Sequence, residues 1–440
     1  MVKELKAGVS IVDVTPPEGV ELAGYPHCPR HNTGVHDRLF ARCIHIDDGT
    51  TRIAVVATDL LMYSKKYVRI VRNRASERTG IPAGNIAIYC SHTHSAPWTS
   101  GRLDLEALEK GLKPDAEYLA KLENKLVALI EEASKNTFPA RIGVNKGYCG
   151  KEQGVGGNRR IPGGPADPEV CVVGVQDMSG NWRGCLVKYA LHPTVIHSES
   201  TLVTADYPAY IREYLLKAKP GMKLLFAQGT SGDQSSRYFR SGQSFDEACR
   251  IGTAIGLEVD RVLNGMTFTE DAELFVRSVE TDLELRDLPE RSLAEENVRK
   301  AENGLERLKA ANAPYIDIRN AELKLLGAED ILGYVRLSEK NIEPELLTDE
   351  IPAEIQVIGI GDCRIVGIQG EMFVELGLKI KDESPFMNTF VIELANGVLP
   401  GYAYTREALK AGGYETDTSM LSARSGEIIA EKALELLNKL

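Results

Sequence analysis

Three times in this chain an apolar, alternating run is followed by a turn rich in Gly, Asp, Asn or Ser and then by a second apolar run. That pattern folds as a β-hairpin and as little else. The first joins residues 39–46 to 52–58 through Asp47-Asp48-Gly49, and the second joins 170–176 to 185–190 through Met178-Ser179-Gly180-Asn181. The third joins 354–359 to 363–369 through Gly361-Asp362. Each second strand ends on a polar residue: Asp59, His192 and Glu371. Two of the hairpins continue into a helix and a further strand. After the first, Ser64 is placed as an N-cap, Val68, Val71 and Ala75 share one helical face, and Gly80 and Pro82 stop the helix. The strand that follows empties into His92-Thr93-His94. After the third, a helix over 372–381 and a strand over 389–394 lead to residues 396–404. Ligands in α/β proteins collect beyond the carboxyl ends of strands, so these polar ends are expected to converge. The expectation is an α/β fold in which one large domain, residues 1–440, has mixed β-sheets built from hairpins and βα units with helices outside. The eight regular βα units of a (β/α)8 barrel are absent from the pattern.

Between the hairpins lie a helix near 114–134, a glycine-rich loop over 151–165 carrying Arg159 and Arg160, and a strand over 224–227 that runs into Gly229–Ser236, GTSGDQSS. That loop is followed by a helix over 245–263, closed by Asn264-Gly265, and strand, glycine loop, helix is the shape of a ligand loop. GxSxG is missing, so it is not a nucleophile elbow. Residues 284–345 are laced with charge and are expected to form a peripheral, solvated helical excursion without chemistry; a last helix covers 426–440. With 52 Lys and Arg against 63 Asp and Glu, the formal charge of −11 argues against nucleic acid as a partner. No run is apolar enough to span a bilayer, no leader is visible at the N-terminus, and the eight cysteines are scattered singly, so a reduced, cytoplasmic protein is expected. The sequence carries no signature of oligomeric state.

The stretch 85–97, NIAIYCSHTHSAP, places His92 and His94 at i, i+2. On a strand both would point to one side, which is a metal-site geometry; the alternative is one histidine hydrogen-bonded in a loop and one packed. All eight histidines lie at or before His197, so a site that recruits the C-terminal half must take carboxylate, phenol or amide groups from it.

Taken together, AGVSIVDVTPP, LAGY, GVHDRLFARC, HTHSAP, NRR, LHPT, the GDQS loop, QGE and GYAYTRE make the chain resemble the neutral/alkaline non-lysosomal ceramidases, a family of zinc amidohydrolases. The resemblance implies one Zn2+ per chain held by His92, His192, Glu371 and Tyr402. It also implies His94, Arg159, Ser235 and Tyr414 around a substrate amide, with Gly24 and Tyr25 nearby; Asp59 and Asp233 are expected on the substrate side as well. The implied function is hydrolysis of an amide in a small or lipid-like N-acyl substrate by a zinc-activated water, with His94 moving the proton. An esterase or lactonase using the same metal, or a metal-bearing binding protein without turnover, are the alternatives. The chain departs from the family pattern at GDQSSR for GDxSPN, NRRIP for NRSP and HTHSAP for HTHSGP, and no immunoglobulin-like domain is expected after Leu440.

Overall fold

The computed structural model describes residues 4–25, 28–101, 113–341 and 349–440. The strands of five or more residues, in chain order, begin with β1 (Lys6–Asp13), β2 (Phe40–Asp47), β3 (Arg52–Thr58) and β4 (Ile86–Cys90). They continue with β5 (Phe138–Tyr148), β6 (Glu169–Asp177), β7 (Trp182–Tyr189) and β8 (Lys223–Gln228), and finish with β9 (Leu274–Thr281), β10 (Ala353–Ile360), β11 (Cys363–Ile368) and β12 (Asn388–Ile392). The principal helices are α1 (Lys65–Thr79), α2 (Ala116–Lys135), α3 (Tyr207–Ala218), α4 (Phe245–Asn264), α5 (Arg291–Ala310), α6 (Tyr315–Glu339), α7 (Val374–Glu383) and α8 (Ala423–Leu437).

All three expected hairpins form: β2–β3, β6–β7 and β10–β11, each antiparallel. The sequence pattern carried only two of them on into helix and strand. In the structure all three continue, through α1 to β4, α3 to β8 and α7 to β12, and each closing strand lies parallel to the second hairpin strand. The missed case is the middle unit, where residues 190–206 separate β7 from α3 and break the visual rhythm.

The first two units share one sheet, in the order β8-β7-β6-β5-β1-β2-β3-β4, with the short strand Phe268–Thr269 beside β5. The third unit forms a second sheet, β9-β10-β11-β12. Period-two alternation sends one face of every unit to a common core, where Val55 and Tyr89, Val173 and Leu225, and Ile358 and Phe390 meet. The opposite faces are covered by α1 and α2, by α3 and α4, and by α7 and α8. The expected mixed sheets with helices outside are therefore borne out.

The units are tied to one another pairwise by buried charges. Arg212 of α3 donates to Asp59 at the end of β3 (2.8 Å), and Arg72 of α1 donates to Glu354 of β10 (2.7 Å). Lys188 of β7 reaches Asp167 at 2.5 Å, and Lys381 of α7 reaches the other Asp167 oxygen at 2.9 Å. The entry to α1 also differs from expectation: the Ser64 hydroxyl caps nothing, and the Lys65 N–H is held by the Glu350 carboxylate at 2.8 Å.

Burial alone would raise the Asp167 pKa, yet Lys188 and Lys381 hold it well below the usual carboxylate range. Such a group contributes stability above its unfolded pKa, near 4, and loses it as the pH falls toward the folded value. Asp167→Asn should therefore cost about 3–5 kcal/mol in urea denaturation at pH 7, because it strands a buried ammonium. The gap between variant and parent should narrow once the pH is below about 4.

Candidate metal centre

Strand β4 stops at Cys90, so the two histidines of HTH sit in the loop beyond it, and strand alternation is not what aligns them. His92 instead adopts φ +69°, a left-handed conformation uncommon for a side-chain-bearing residue. Its main-chain N–H bonds to the Leu60 carbonyl (2.9 Å) and its ring Nδ1 donates to the Leu61 carbonyl (2.9 Å). The His192 ring, at the end of β7, donates from Nδ1 to the Ser231 carbonyl (2.7 Å). His94 donates from Nδ1 to the Gly24 carbonyl (2.9 Å). A carbonyl can only accept, so all three imidazoles carry a proton on Nδ1 and turn Nε2 toward the centre.

Those nitrogens and a carboxylate converge. The Nε2 atoms of His92 and His192 are 3.0 Å apart, and Glu371 Oε2 lies 3.2 Å from the first and 3.1 Å from the second. His94 Nε2 is buried and lacks a hydrogen-bond partner among the described residues. Burial opposes ionisation of Glu371, but the two histidines keep its carboxyl well below the usual range, so it is an anion. Burial, with Arg159 and His92 adding to it, brings His192 down to about 4, and burial beside the other two rings brings His94 well below the ordinary histidine range. Burial opposes protonation of His92, but Glu371 raises it above the ordinary histidine value, so positive charge is held among these atoms, as a proton or as the metal ion that displaces it. His92, His94 and His192, whose ligand atoms lie within 4.8 Å of one another, could hold a metal ion, and the Glu371 carboxylate adds the charge such an ion prefers.

Tyr402 is set beside Glu371 by a two-residue parallel bridge that pairs Glu371 with Tyr402. Its hydroxyl lies 3.4 Å from Arg159 Nη2. Arg159 is fixed by Glu415 (2.8 Å from Nε) and by the Gly232 carbonyl (2.8 Å from Nη2), while Arg160 donates to the second Glu415 oxygen (2.8 Å). The rings of Tyr402 and Tyr414 stand edge to face, 6.3 Å apart. Ser235 reaches the same space from a short strand paired with Gly157–Asn158. A cavity of about 250 Å³ lies over these groups, lined among others by His92, His94, Glu371, Arg159, Ser235, Tyr402 and Tyr414.

Gly24 and Tyr25 also line this cavity, and Gly24 does so under strict constraint. It has φ +95°, and a Cβ there would come within 2.5 Å of the His94 ring. Tyr25 packs its ring 5.1 Å from His94.

Two expected substrate contacts lie elsewhere. Asp59 is buried between the Phe40 N–H (2.9 Å) and Arg212, and serves as the tie between the first two units. Asp233 accepts from Asn158 (2.7 Å) and from the Val374 N–H (3.0 Å), which binds the GDQS loop to the start of α7. Polar residues at strand ends can face inward to neighbouring units as well as outward to ligand, and sequence does not separate the two.

The excursion expected to be peripheral is also corrected. Arg319, Leu323, Asp330 and Tyr334 of α6 line the cavity, so this helix closes it from above. Their spacing of i, i+4, i+11 and i+15 puts them on one helical face, the signal that could have been read. Arg237, Arg240 and His197 are further lining residues that the motifs did not single out.

Fold and cluster together define an α/β protein with a buried imidazole–carboxylate centre able to hold a metal ion. Residues 5–155 match the sequence profile of the family described as neutral/alkaline non-lysosomal ceramidase, N-terminal. The neutral ceramidase of Drosophila melanogaster is 28% identical over 49% of this chain and 33% of its own length. That of Pseudomonas aeruginosa is 21% identical over 91% of this chain and 67% of its own. The crystal structure of the Pseudomonas aeruginosa neutral ceramidase superimposes with a TM-score of 0.73 at 19% identity, covering 99% of this chain and 75% of that one. The resemblance to the neutral/alkaline non-lysosomal ceramidases is therefore borne out, and the chain spans about a third of the length of the Drosophila relatives it matches.

Titrating the chelator-treated protein with Co2+ should show one ion per chain and a rise in Tm, because only the folded state brings these ligand atoms together. The gain should reach about 2.7 kcal/mol at a hundredfold excess over Kd. In His192→Ala both the stoichiometric binding and the Tm rise should vanish.

Proposed function

We propose that this protein is a zinc-dependent hydrolase that cleaves the amide bond of an N-acyl compound. The observation that carries the proposal is the meeting of His92 Nε2, His192 Nε2 and Glu371 Oε2 within 3.2 Å at the floor of a cavity. Two neutral imidazoles and a carboxylate make a catalytic zinc donor set, with Tyr402, beside Glu371, as a fourth, displaceable ligand. When bound, the zinc supplies Lewis acidity toward the amide carbonyl and toward water. The names of the matched proteins, neutral ceramidases, support an amide as the bond attacked.

The chain's own groups divide the remaining work. His94, held by Gly24 with Nε2 toward the cavity, accepts a proton at that nitrogen and returns it to the leaving amine. Arg159, locked by Glu415, and Tyr414 bring donors to the side where negative charge develops on the carbonyl oxygen. Ser235 acts as a hydrogen-bonding group rather than a nucleophile. Its Oγ accepts from the Arg237 N–H (3.2 Å), and no base among the described residues takes its proton.

The test is metal analysis joined to turnover of N-acyl amines, esters and lactones. His92→Ala and Glu371→Ala should lose stoichiometric zinc. His94→Ala should keep the zinc and lose about 100-fold or more in amide turnover. Zinc retained at full stoichiometry in both of the first two variants would place the metal elsewhere. Loss of zinc in His94→Ala would make it a ligand, and turnover confined to esters or lactones would replace the amidase reading.

A further inference from the structure

A fully buried carboxyl stands directly behind the metal centre and has no part in the proposed amide chemistry. Glu393 follows β12, the closing strand of the third unit, and is 0% exposed, as are Ser231, Gln228 and His192 around it. A carboxyl in such a place costs free energy that an apolar side chain would not, and the bonds it makes must offset that cost. Those bonds are specific. Its Oε1 accepts from the Ser231 hydroxyl at 2.6 Å, and its Oε2 accepts from the Met372 N–H at 2.7 Å. Ser231 holds His192, and Met372 is the residue after Glu371.

The contacts close on themselves. His192 Nδ1 lies 2.7 Å from the Ser231 carbonyl oxygen and 3.2 Å from the hydroxyl of the same residue, a fork that restrains the rocking of the ring which a single carbonyl contact permits. That hydroxyl accepts from Gln228 Nε2 (2.7 Å) and donates in turn to Glu393. From Ser231 the chain runs into Gly232, whose N–H donates to the Met372 carbonyl (2.9 Å), and the Met372 N–H returns to Glu393. The main-chain N–H of Glu393 donates to the Gln228 carbonyl (3.0 Å) at the end of β8. Glu371, one residue before Met372, is paired with Tyr402 across the two-residue parallel bridge. The second and third units thus meet behind the centre on a single side chain.

We propose that Glu393 is a positioning residue for the metal centre, setting the ring of His192 through Ser231 and the carboxylate of Glu371 through the Met372 main chain, so that both ligands stand in place before an ion arrives. This rests on the metal site proposed above, and not on which bond is cleaved. Groups behind a metal ligand fix its orientation and its donor strength, and a site whose ligands are held in advance binds more tightly than one that must be gathered. Both arms leave one carboxyl. The Ser231 hydroxyl should therefore matter to the centre only while Glu393 is there to receive it.

Co2+ binding to the chelator-treated full chain, followed by calorimetry and by the visible spectrum of the bound ion, tests this in Glu393→Met, Ser231→Ala and the double variant. Glu393→Met should weaken Co2+ binding by about 10–100-fold and shift the visible bands. Ser231→Ala, which keeps the carbonyl bond to His192 and severs one arm, should weaken it by less. The double variant should bind no more weakly than Glu393→Met alone. A purely structural role would lower the Tm of the metal-free protein and leave the Kd and the bands of the folded protein as in the parent; that result overturns the inference, as does a double variant whose loss is the product of the two single losses. Should Glu393→Met fail to fold, Ser231→Ala and Ser231→Thr decide: weaker binding in the first, which lacks the hydroxyl, with the parent's Kd in the second, which keeps it, supports the inference, and any other pattern overturns it. A parent protein that takes up no Co2+ sinks the metal centre and this inference with it, whereas a parent that binds one ion beside variants that bind it equally well sinks this inference alone.

Discussion

Three ligand atoms that must converge within 3.2 Å of one another set the terms for the rest of this molecule. His92 follows β4, His192 follows β7 and Glu371 follows β11, so each hairpin-helix-strand unit contributes one of them. A centre built this way exists only if the units keep their mutual positions, since a displacement of about 1 Å spoils a coordination geometry. The shared apolar core fixes the distance between the sheets, but apolar packing alone is nondirectional. Direction comes from the buried charge pairs Arg212–Asp59, Arg72–Glu354 and Lys188–Asp167–Lys381, one for each pair of units.

Closer in, the loops are tied by the same logic. Ser231, whose carbonyl orients His192, donates its hydroxyl to Glu393 at 2.6 Å, and Glu393 accepts from the Met372 N–H at 2.7 Å, next to Glu371. Burial and the charge of Glu371 push Glu393 up to about 8. A carboxyl that tends to stay neutral there spares the centre a second anion behind the first. Asp233 performs a related service, joining the GDQS loop to α7. These are groups whose chemistry is used for position.

Much of this was legible in the chain. Turn residues and alternation located the hairpins, because a tight turn demands particular residues and a sheet face demands a period of two. Helical stops such as Gly80, in the left-handed conformation, were equally plain. What sequence did not resolve was direction. Asp59 and Asp233 end strands or fill loops as His192 does, yet their oxygens turn to a neighbouring unit, and only tertiary contact decides that. The alignment of His92 and His94 was anticipated for the wrong reason: a left-handed residue after the strand, not the strand itself, brings the rings together.

The charged helix pair is the most instructive miss. A helix surrounded by water and a helix roofing a polar cavity both show alternating charge, so charge density carries no information about which one is present. Periodicity does: Arg319, Leu323, Asp330 and Tyr334 keep one face, and that face mixes a cation, an apolar group, an acid and a phenol, which is ligand-like rather than solvent-like. The consequence is a division of labour within the cavity. The floor is assembled from strand ends whose side chains are tied to neighbouring carbonyls. The roof is a helix packed chiefly against its neighbour α5, and none of the hydrogen bonds that orient His92, His94 and His192 comes from it.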